Sequence, residues 1–276
     1  MRGADEPPTG PISLSVLDLA EVEAQLGGID LSDWFNPFLT GFARETIRAG
    51  GRAVVARQRD RIVGLALTDP AERTRSVFAR TRPVVEALAG EPGEVGVYSE
   101  VDLGGATEVF GIHVARWTAE PSHRFRHPVR LLVPSDLPKA AALLQEVYGS
   151  SAEPWLAIAS EEGERGFGAD VAGTLAGVAW VLVVGPHARL HDLTVRPGYR
   201  RIGLGTDLAL ARLTYAWQAG ARLALSEISE RNGPSRAIAE RAGMRVAGRL
   251  FFYGRSPSAP LGRSVAPFGG AAPTSG

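Results

Sequence analysis

Arg200, Arg201, Gly203 and Gly205 stand together in the stretch VRPGYRRIGLG, from Val195 to Gly205. An apolar run precedes this stretch and an amphipathic run follows it, so the segment reads as a strand turning into a helix. The first N–H groups of a helix have no intrahelical acceptor, and the helix dipole adds partial positive charge at that end. Glycines without side chains let an anion approach the bare backbone, and arginines add full charges. The chemistry implied is capture of phosphate, with a pyrophosphate as the natural guest.

Three nucleotide-type patterns compete for this loop. A P-loop requires Gly-Lys-Ser/Thr, and the loop has no lysine. A dinucleotide fingerprint requires a third glycine where Leu208 stands. The pattern left is R-x-x-G-x-G, with Arg200, Gly203 and Gly205 at its fixed positions.

The elements that must hold the loop can be read from periodicity and breakers. ARLHDLTV is a strand leading in, and IGLGTDLALARLTYAWQAG is a helix leading out, with Leu204, Leu208, Ala211 and Tyr215 on one face and Gly220 ending it. ARLALSEIS is the next strand. NGPSRAIAERAG is a short helix with Asn232 as N-cap and Gly243 just past its end, and RVAGRLFFYG is a closing strand. Upstream, VRLLV is a strand, SDLPKAAALLQEVYG a helix, and RGFGADVAGTLAGVAWVLVVG a hairpin. The first half shows the same order. ISLSV is a strand, DLAEVEAQL a helix capped by Asp18, and RAVVARQRDRIVGLALT a hairpin turning at Arg59-Asp60. SDWFNPFLTGFARETIRAG reads as two helical pieces broken near Pro37, SVFARTRPVVEALAG as helical, and EVGVYSEV and EVFGIHVARW as strands. This gives an α/β chain of two similar units in tandem. The expected divisions are a disordered lead-in at 1–11, a first domain at 12–125, a second at 126–255 and a flexible tail at 256–276. The irregular stretch Thr118 to Pro128 is taken as the linker.

Composition excludes several classes of function. Formal net charge is zero, so no global basic field draws nucleic acid or an anionic membrane. With no cysteine, disulfides, thiolate metal sites and a cysteine nucleophile are ruled out. VAGTLAGVAWVLVVG, the longest apolar stretch, is short for a membrane span, and MRGADEPPTGP lacks an apolar signal core, so a cytoplasmic location is the default. His123 and His127 have the i,i+4 spacing of paired metal ligands, but Pro128 follows and no carboxylate accompanies them. No metal is expected.

LHDLTVRPGYRRIGLGTDLALARL, followed by ERNGPSRAIAERAGMRVAGRL, resembles the GNAT superfamily of acetyl-CoA-dependent N-acetyltransferases. The resemblance covers roughly Val129 to Arg255, whereas the first half shares only the order of elements. It implies two GNAT-like units, each a mixed, mostly antiparallel sheet flanked by helices, with two parallel strands splayed apart in the second unit. Acetyl-CoA would be the co-substrate. Its pantetheine arm would lie between the splayed strands, on Leu193, Thr194 and Val195. Its pyrophosphate would lie on the loop of Arg200, Arg201, Ile202, Gly203, Leu204, Gly205 and Thr206, with Asn232 and Ser235 near the pantetheine and thiol.

The reaction implied is attack of a neutral amine on a thioester, probing the sequence for a group that takes a proton. An alkylammonium has a pKa of about 10.4, so the acceptor arrives charged. His191, on the strand before the loop, matches the place of a proposed base in one branch of the family, and an imidazole titrates near neutrality. On a regular strand, Asp192 would point to the opposite face. Glu227, on the neighbouring strand, is a second base and an attractor for a cationic acceptor. Ala239 stands where many members carry a tyrosine acid, and Tyr253 on the closing strand is the substitute considered. The first half has no counterpart of RRIGLG: after EVGVYSEV comes DLGGATEV, which has glycines but no arginine. It is expected to bind no cofactor. The function expected is N-acetyl transfer to a small-molecule primary amine; a non-catalytic acyl-CoA sensor or scaffold is the alternative.

Overall fold

The computed structural model describes residues 10–69, 74–89, 94–121, 124–148 and 164–254. The expected tail, His123 and all but the last two residues of the expected lead-in lie outside these. The described residues fall into two compact units, one of residues 10–107 with a return segment at 251–254, the other of residues 108–250. Among the described residues, no helix is long and apolar enough to cross a membrane.

The first unit contains β1 (Ile12–Leu17), α1 (Leu19–Leu26), α2 (Asn36–Arg48), β2 (Arg52–Gln58), β3 (Arg61–Asp69), β4 (Thr74–Ala79), α3 (Arg82–Ala89) and β5 (Glu94–Ser99). β1 to β4 pair antiparallel in chain order, β5 runs parallel to β4, and residues 251–253 pair antiparallel with β5. Asp18 and Glu21 start α1 as a capping box, each carboxylate accepting the other's backbone N–H at 2.9 Å. Pro37 sits in the first turn of α2, where its missing N–H has no helical acceptor to lose. The segment is therefore one helix and not two pieces broken at proline. SVFA is the end of β4 and not helical: its alternating side chains pair with β3 from Gly64↔Ala79 to Asp69↔Thr74, and the helix begins only at Arg82.

The second unit contains β6 (Glu108–Arg116), β7 (Val129–Leu131), α4 (Leu137–Tyr148), β8 (Glu164–Val171), β9 (Thr174–Val184), β10 (His187–Val195), α5 (Leu204–Gln218), β11 (Leu223–Ser229), α6 (Gly233–Arg241) and β12 (Arg245–Tyr253), whose last residues return to the first unit. Its strands lie in the order β7-β8-β9-β10-β11-β6-β12. β7 to β10 are antiparallel, β10 and β11 parallel, and β11 and β6 antiparallel. Alternate residues of β9 feed two apolar clusters. Val178 and Trp180 pack with Leu143 and Leu144 of α4, while Ala179 and Val181 pack with Leu208 and Leu213 of α5. Helices thus cover both faces of the sheet.

The sequence reading divides the chain between 125 and 126, whereas the contacts assign Glu108–Arg116 to the second unit. The reason is register. All seven residues of β11 pair with β6, from Leu223↔Arg116 to Ser229↔Phe110, and without β6 that face of β11 would be an open edge.

Candidate active site

β10 and β11 share a ladder only at His187↔Leu223, Ala188↔Ala224 and Arg189↔Leu225. Beyond it β10 continues to Val195 and β11 to Ser229 with no pairing between them. The parallel strands are splayed, and facing backbone groups are left for an extended guest. The splay has a local cause in β10. Its pairing with β9 slips between His191 and Thr194, and Asp192 there has a φ of +50°. Aspartate tolerates this left-handed conformation better than most residues. The strand is thus not regular at Asp192, and its carboxylate turns back onto the His191 ring.

Three further side chains lock this bulge. His191 donates from Nδ1 to Asp192 and from Nε2 to Glu164, both at 2.6 Å. Arg212, reaching in from α5, donates to the carbonyls of Trp180 and His191 at 3.0 and 2.9 Å, the two carbonyls beside the register slip. Burial alone would lower the imidazole pKa, but the charges of Glu164 and Asp192 and the bonds they accept raise it to about 9. Burial lowers that of Arg212 to about 9. Two cations thus balance two carboxylates in a buried cluster. Both ring nitrogens of His191 are engaged by carboxylates, and this environment favours the charged ring. The arrangement supports a positioning role for His191, where the sequence reading offers it as a base. Glu227 faces the splay as a partner of Arg189, whose Nε donates to it at 2.9 Å, and both side chains are buried.

The loop after β10 is long. Eight residues, Arg196 to Gly203, separate Val195 from the start of α5. Arg201 and Gly203 have φ of +66° and +106°. Thr206 and Asp207 donate back to the Gly203 carbonyl, whereas among the described residues the N–H groups of residues 201 to 205 find no protein acceptor. Gly205 has a packing reason besides ligand approach, since a Cβ there would meet Ile238 Cδ1 at 2.7 Å. The loop and splay bound a cleft of about 590 Å3, lined by Leu193, Thr194, Val195, Arg200, Arg201, Gly203, Leu204, Gly205, Thr206, Asn232 and Ser235, and also by Arg241 and Tyr148. Among the described residues, three arginines and no acid line it. Ile202 does not line it and is exposed. Asn232 caps α6, its Oδ1 accepting the Ser235 N–H at 3.1 Å, while also lining the cleft.

A smaller cavity of about 110 Å3 adjoins the cleft, and the two share Tyr148, Leu193, Asn232, Ser235 and Ile238. His191, Asp192, Glu227, Ala239, Met244 and Phe110 of β6 complete much of its wall. Tyr148, which sequence reasoning passed over, stands at this junction with its hydroxyl 2.9 Å from Thr194 Oγ1, and burial pushes its phenol pKa up. The only signal for it was an aromatic at the end of an amphipathic helix, which reads as packing. Tyr253 is corrected as well. It belongs to the first unit, lines neither cavity, and its hydroxyl accepts from Leu103 N–H and donates to Asp102. His127, weighed as a metal ligand, is engaged by Asp207 at 2.8 Å.

Among its described residues, the first unit does not show these features. Its parallel pair β4–β5 stays hydrogen-bonded to Phe78↔Tyr98, one residue from the end of each strand, and those two rings stack at 5.8 Å. The junction matching the phosphate loop lies after β4, not after β5 as the sequence reading has it, and only Arg80 and Thr81 separate the strand from α3. Arg80 there pairs with Asp33 at 2.9 Å, and Arg82 donates to the Leu103 carbonyl at 2.5 Å.

The family model of the acetyltransferase (GNAT) family matches residues 135–244. No curated protein matches the chain by sequence. A GCN5-related N-acetyltransferase from Sphaerobacter thermophilus superposes with a TM-score of 0.59 at 15% identity, over 91% of this chain and 98% of its own. A tandem GNAT protein from the clavulanic acid biosynthesis pathway gives 0.58 at 18% identity, over 90% and 100%. An acetyltransferase of the GNAT family from Colwellia psychrerythraea gives 0.59 at 12% identity, over 88% and 99%. At these identities the likeness speaks for the fold, and the family match speaks for the second unit. The chain therefore has the GNAT fold over most of its length, and its residues 135–244 match the acetyltransferase (GNAT) family.

Proposed function

We propose that the chain is an acyl-CoA-dependent N-acyltransferase whose second unit passes an acetyl group from acetyl-CoA to the primary amine of a small molecule. The observation that carries this reading is the continuity of three features: an interrupted parallel ladder, a loop whose N–H groups lack acceptors among the described residues, and a small cavity at their junction whose wall includes Glu227. The loop amides and Arg201 suit a diphosphate, and the edges of residues 190–195 and 226–229 suit an extended amide-bearing arm. Among the described residues the outer cleft is lined by arginines and no acid, which favours a small acceptor over a basic protein.

Acetyl-CoA, when bound, supplies the thioester. The amine nitrogen bonds to its carbonyl carbon, the C–S bond breaks, and the proton lost by the amine must be taken up. Glu227 attracts the ammonium form and takes one proton from it, directly or through water, to free the attacking lone pair, with Arg189 fixing the carboxylate; the second N–H proton, lost as the amide forms, passes to water. Tyr148 offers its hydroxyl proton toward the leaving sulfur, in a place Ala239 leaves without a donor. His191 is a positioning residue: it holds Glu164 and Asp192 and so keeps the bulge and the splay. The test is thiol release from acetyl-CoA with a panel of small amines. Glu227→Gln is expected to lower kcat/KM by about 10²–10⁴-fold, the usual size of a general-base contribution, with acetyl-CoA affinity kept. Unchanged turnover in this variant would remove Glu227 from the mechanism.

A second reading has its own support. Both His191 nitrogens are held by carboxylates and Ala239 offers no acid, as suits a module that binds acyl-CoA without turning it over. Tight acetyl-CoA binding without thiol release for any amine class would favour it.

A further inference from the structure

The stretch taken as a linker is fixed to the phosphate loop. Asp207, in the first turn of α5 and only 2% exposed, accepts three hydrogen bonds from residues some eighty positions upstream. They come from Arg126 N–H at 3.1 Å, His127 N–H at 3.0 Å and His127 Nδ1 at 2.8 Å. A buried carboxylate satisfied three times by one short segment sets that segment's backbone with little freedom.

What this fixes in place is the backbone of Arg126, from which the side chain reaches Gly203. A Cβ built on Gly203 would lie 3.4 Å from Arg126 Cδ and 3.9 Å from its Nη1. The guanidinium therefore lies against the glycine at the start of α5, within the run of residues whose N–H groups lack acceptors. Arg126 is exposed, and among the described residues no carboxylate or carbonyl is hydrogen-bonded to its guanidinium. The contrast with its neighbour is informative: Arg200 Nε donates to the Val195 carbonyl, so one loop arginine is tied to the fold. A planar cation anchored at its backbone, with no partner for its donors among the described residues, is suited to a phosphate oxygen pair.

We propose that Arg126 is a phosphate-binding residue of the acyl-CoA cleft, delivered from outside the family domain and positioned by Asp207 and His127. This rests on the acyl-CoA reading above and adds to it a contact that the R-x-x-G-x-G loop does not contain. The phosphate is either the diphosphate bridge or the 3′-phosphate of the nucleotide, and the choice is open to experiment.

The experiment is calorimetric titration of the full chain, wild type and Arg126→Ala, with coenzyme A and with its 3′-dephospho form. Arg126→Ala is expected to weaken coenzyme A binding by about tenfold, the size of one charge-assisted hydrogen-bonded contact. Its melting temperature without ligand should match that of wild type. If Arg126 meets the 3′-phosphate, the dephospho form binds wild type and variant alike. If it meets the diphosphate, the variant loses about as much on the dephospho form. Either pattern supports the proposal, and Arg126→Lys should recover part of the loss. A variant that binds both forms as wild type does overturns Arg126 alone. Wild type binding neither form overturns the acyl-CoA reading itself, and with it this contact.

Discussion

His191 carries a carboxylate on each ring nitrogen, and that placement governs what it can do. Removing the ring in His191→Ala leaves Glu164 and Asp192 buried without a hydrogen-bonded cation between them. Breaking a buried pair in this way costs about 3–5 kcal/mol, to be read from denaturant unfolding. A loss below about 1 kcal/mol would show that water reaches the cluster. The pH dependence has a definite sign. The folded pKa is raised from 6.5 to about 9, so the contribution of His191 is fully present below the unfolded value of 6.5. It declines as pH rises and is lost through about 9. Melting temperatures across that window should fall for wild type, and fall less for His191→Ala. At the same scale, Tyr148→Phe removes the hydroxyl at the junction of the two cavities while keeping the ring. It is expected to lower kcat about tenfold or more, with KM for acetyl-CoA little changed, if the hydroxyl protonates the leaving sulfur.

The difference between the two halves lies in one pair of elements. Both have a parallel strand pair followed by a helix, yet β4–β5 stays zipped and leads to α3 through two residues, Arg80 and Thr81, whereas β10–β11 opens and leads to α5 through eight. The long loop depends on Gly203 at φ +106°, a conformation that a side chain strains. Gly203→Ala should cost about 1–2 kcal/mol or shift the loop, visible as weaker acetyl-CoA binding in calorimetry. Much of this was legible in the sequence. Gly203, Gly220 and Gly243, the Asn232 cap and the apolar face of α5 are local signals, and the structure has them at element ends. What was not legible is non-local. Nothing near Glu108–Arg116 marks it as the partner of β11, because register is set by residues more than a hundred positions away. The slip at Asp192 leaves no mark in an alternating pattern, so the carboxylate that turns back onto the His191 ring could not be read from the sequence. SVFA was misread because Pro83 and the apolar residues after it set a helical period that was extended back across Ala79.

At the scale of the whole molecule, both units carry a parallel strand pair followed by a helix, and the proposed acyl-CoA site lies in the second. In the first unit, stacked Phe78 and Tyr98 sit at the end of a closed strand pair, and its arginines at the equivalent junction already have protein partners. The account predicts a stoichiometry as well as a function. The most direct measurement is a calorimetric titration of the full chain with acetyl-CoA. One site per chain, weakened in Gly203→Ala, is the result expected. Two sites per chain would show that the first unit also binds, and no binding would show that the loop of Arg200 to Gly205 is a structural turn; either would contradict the central claim.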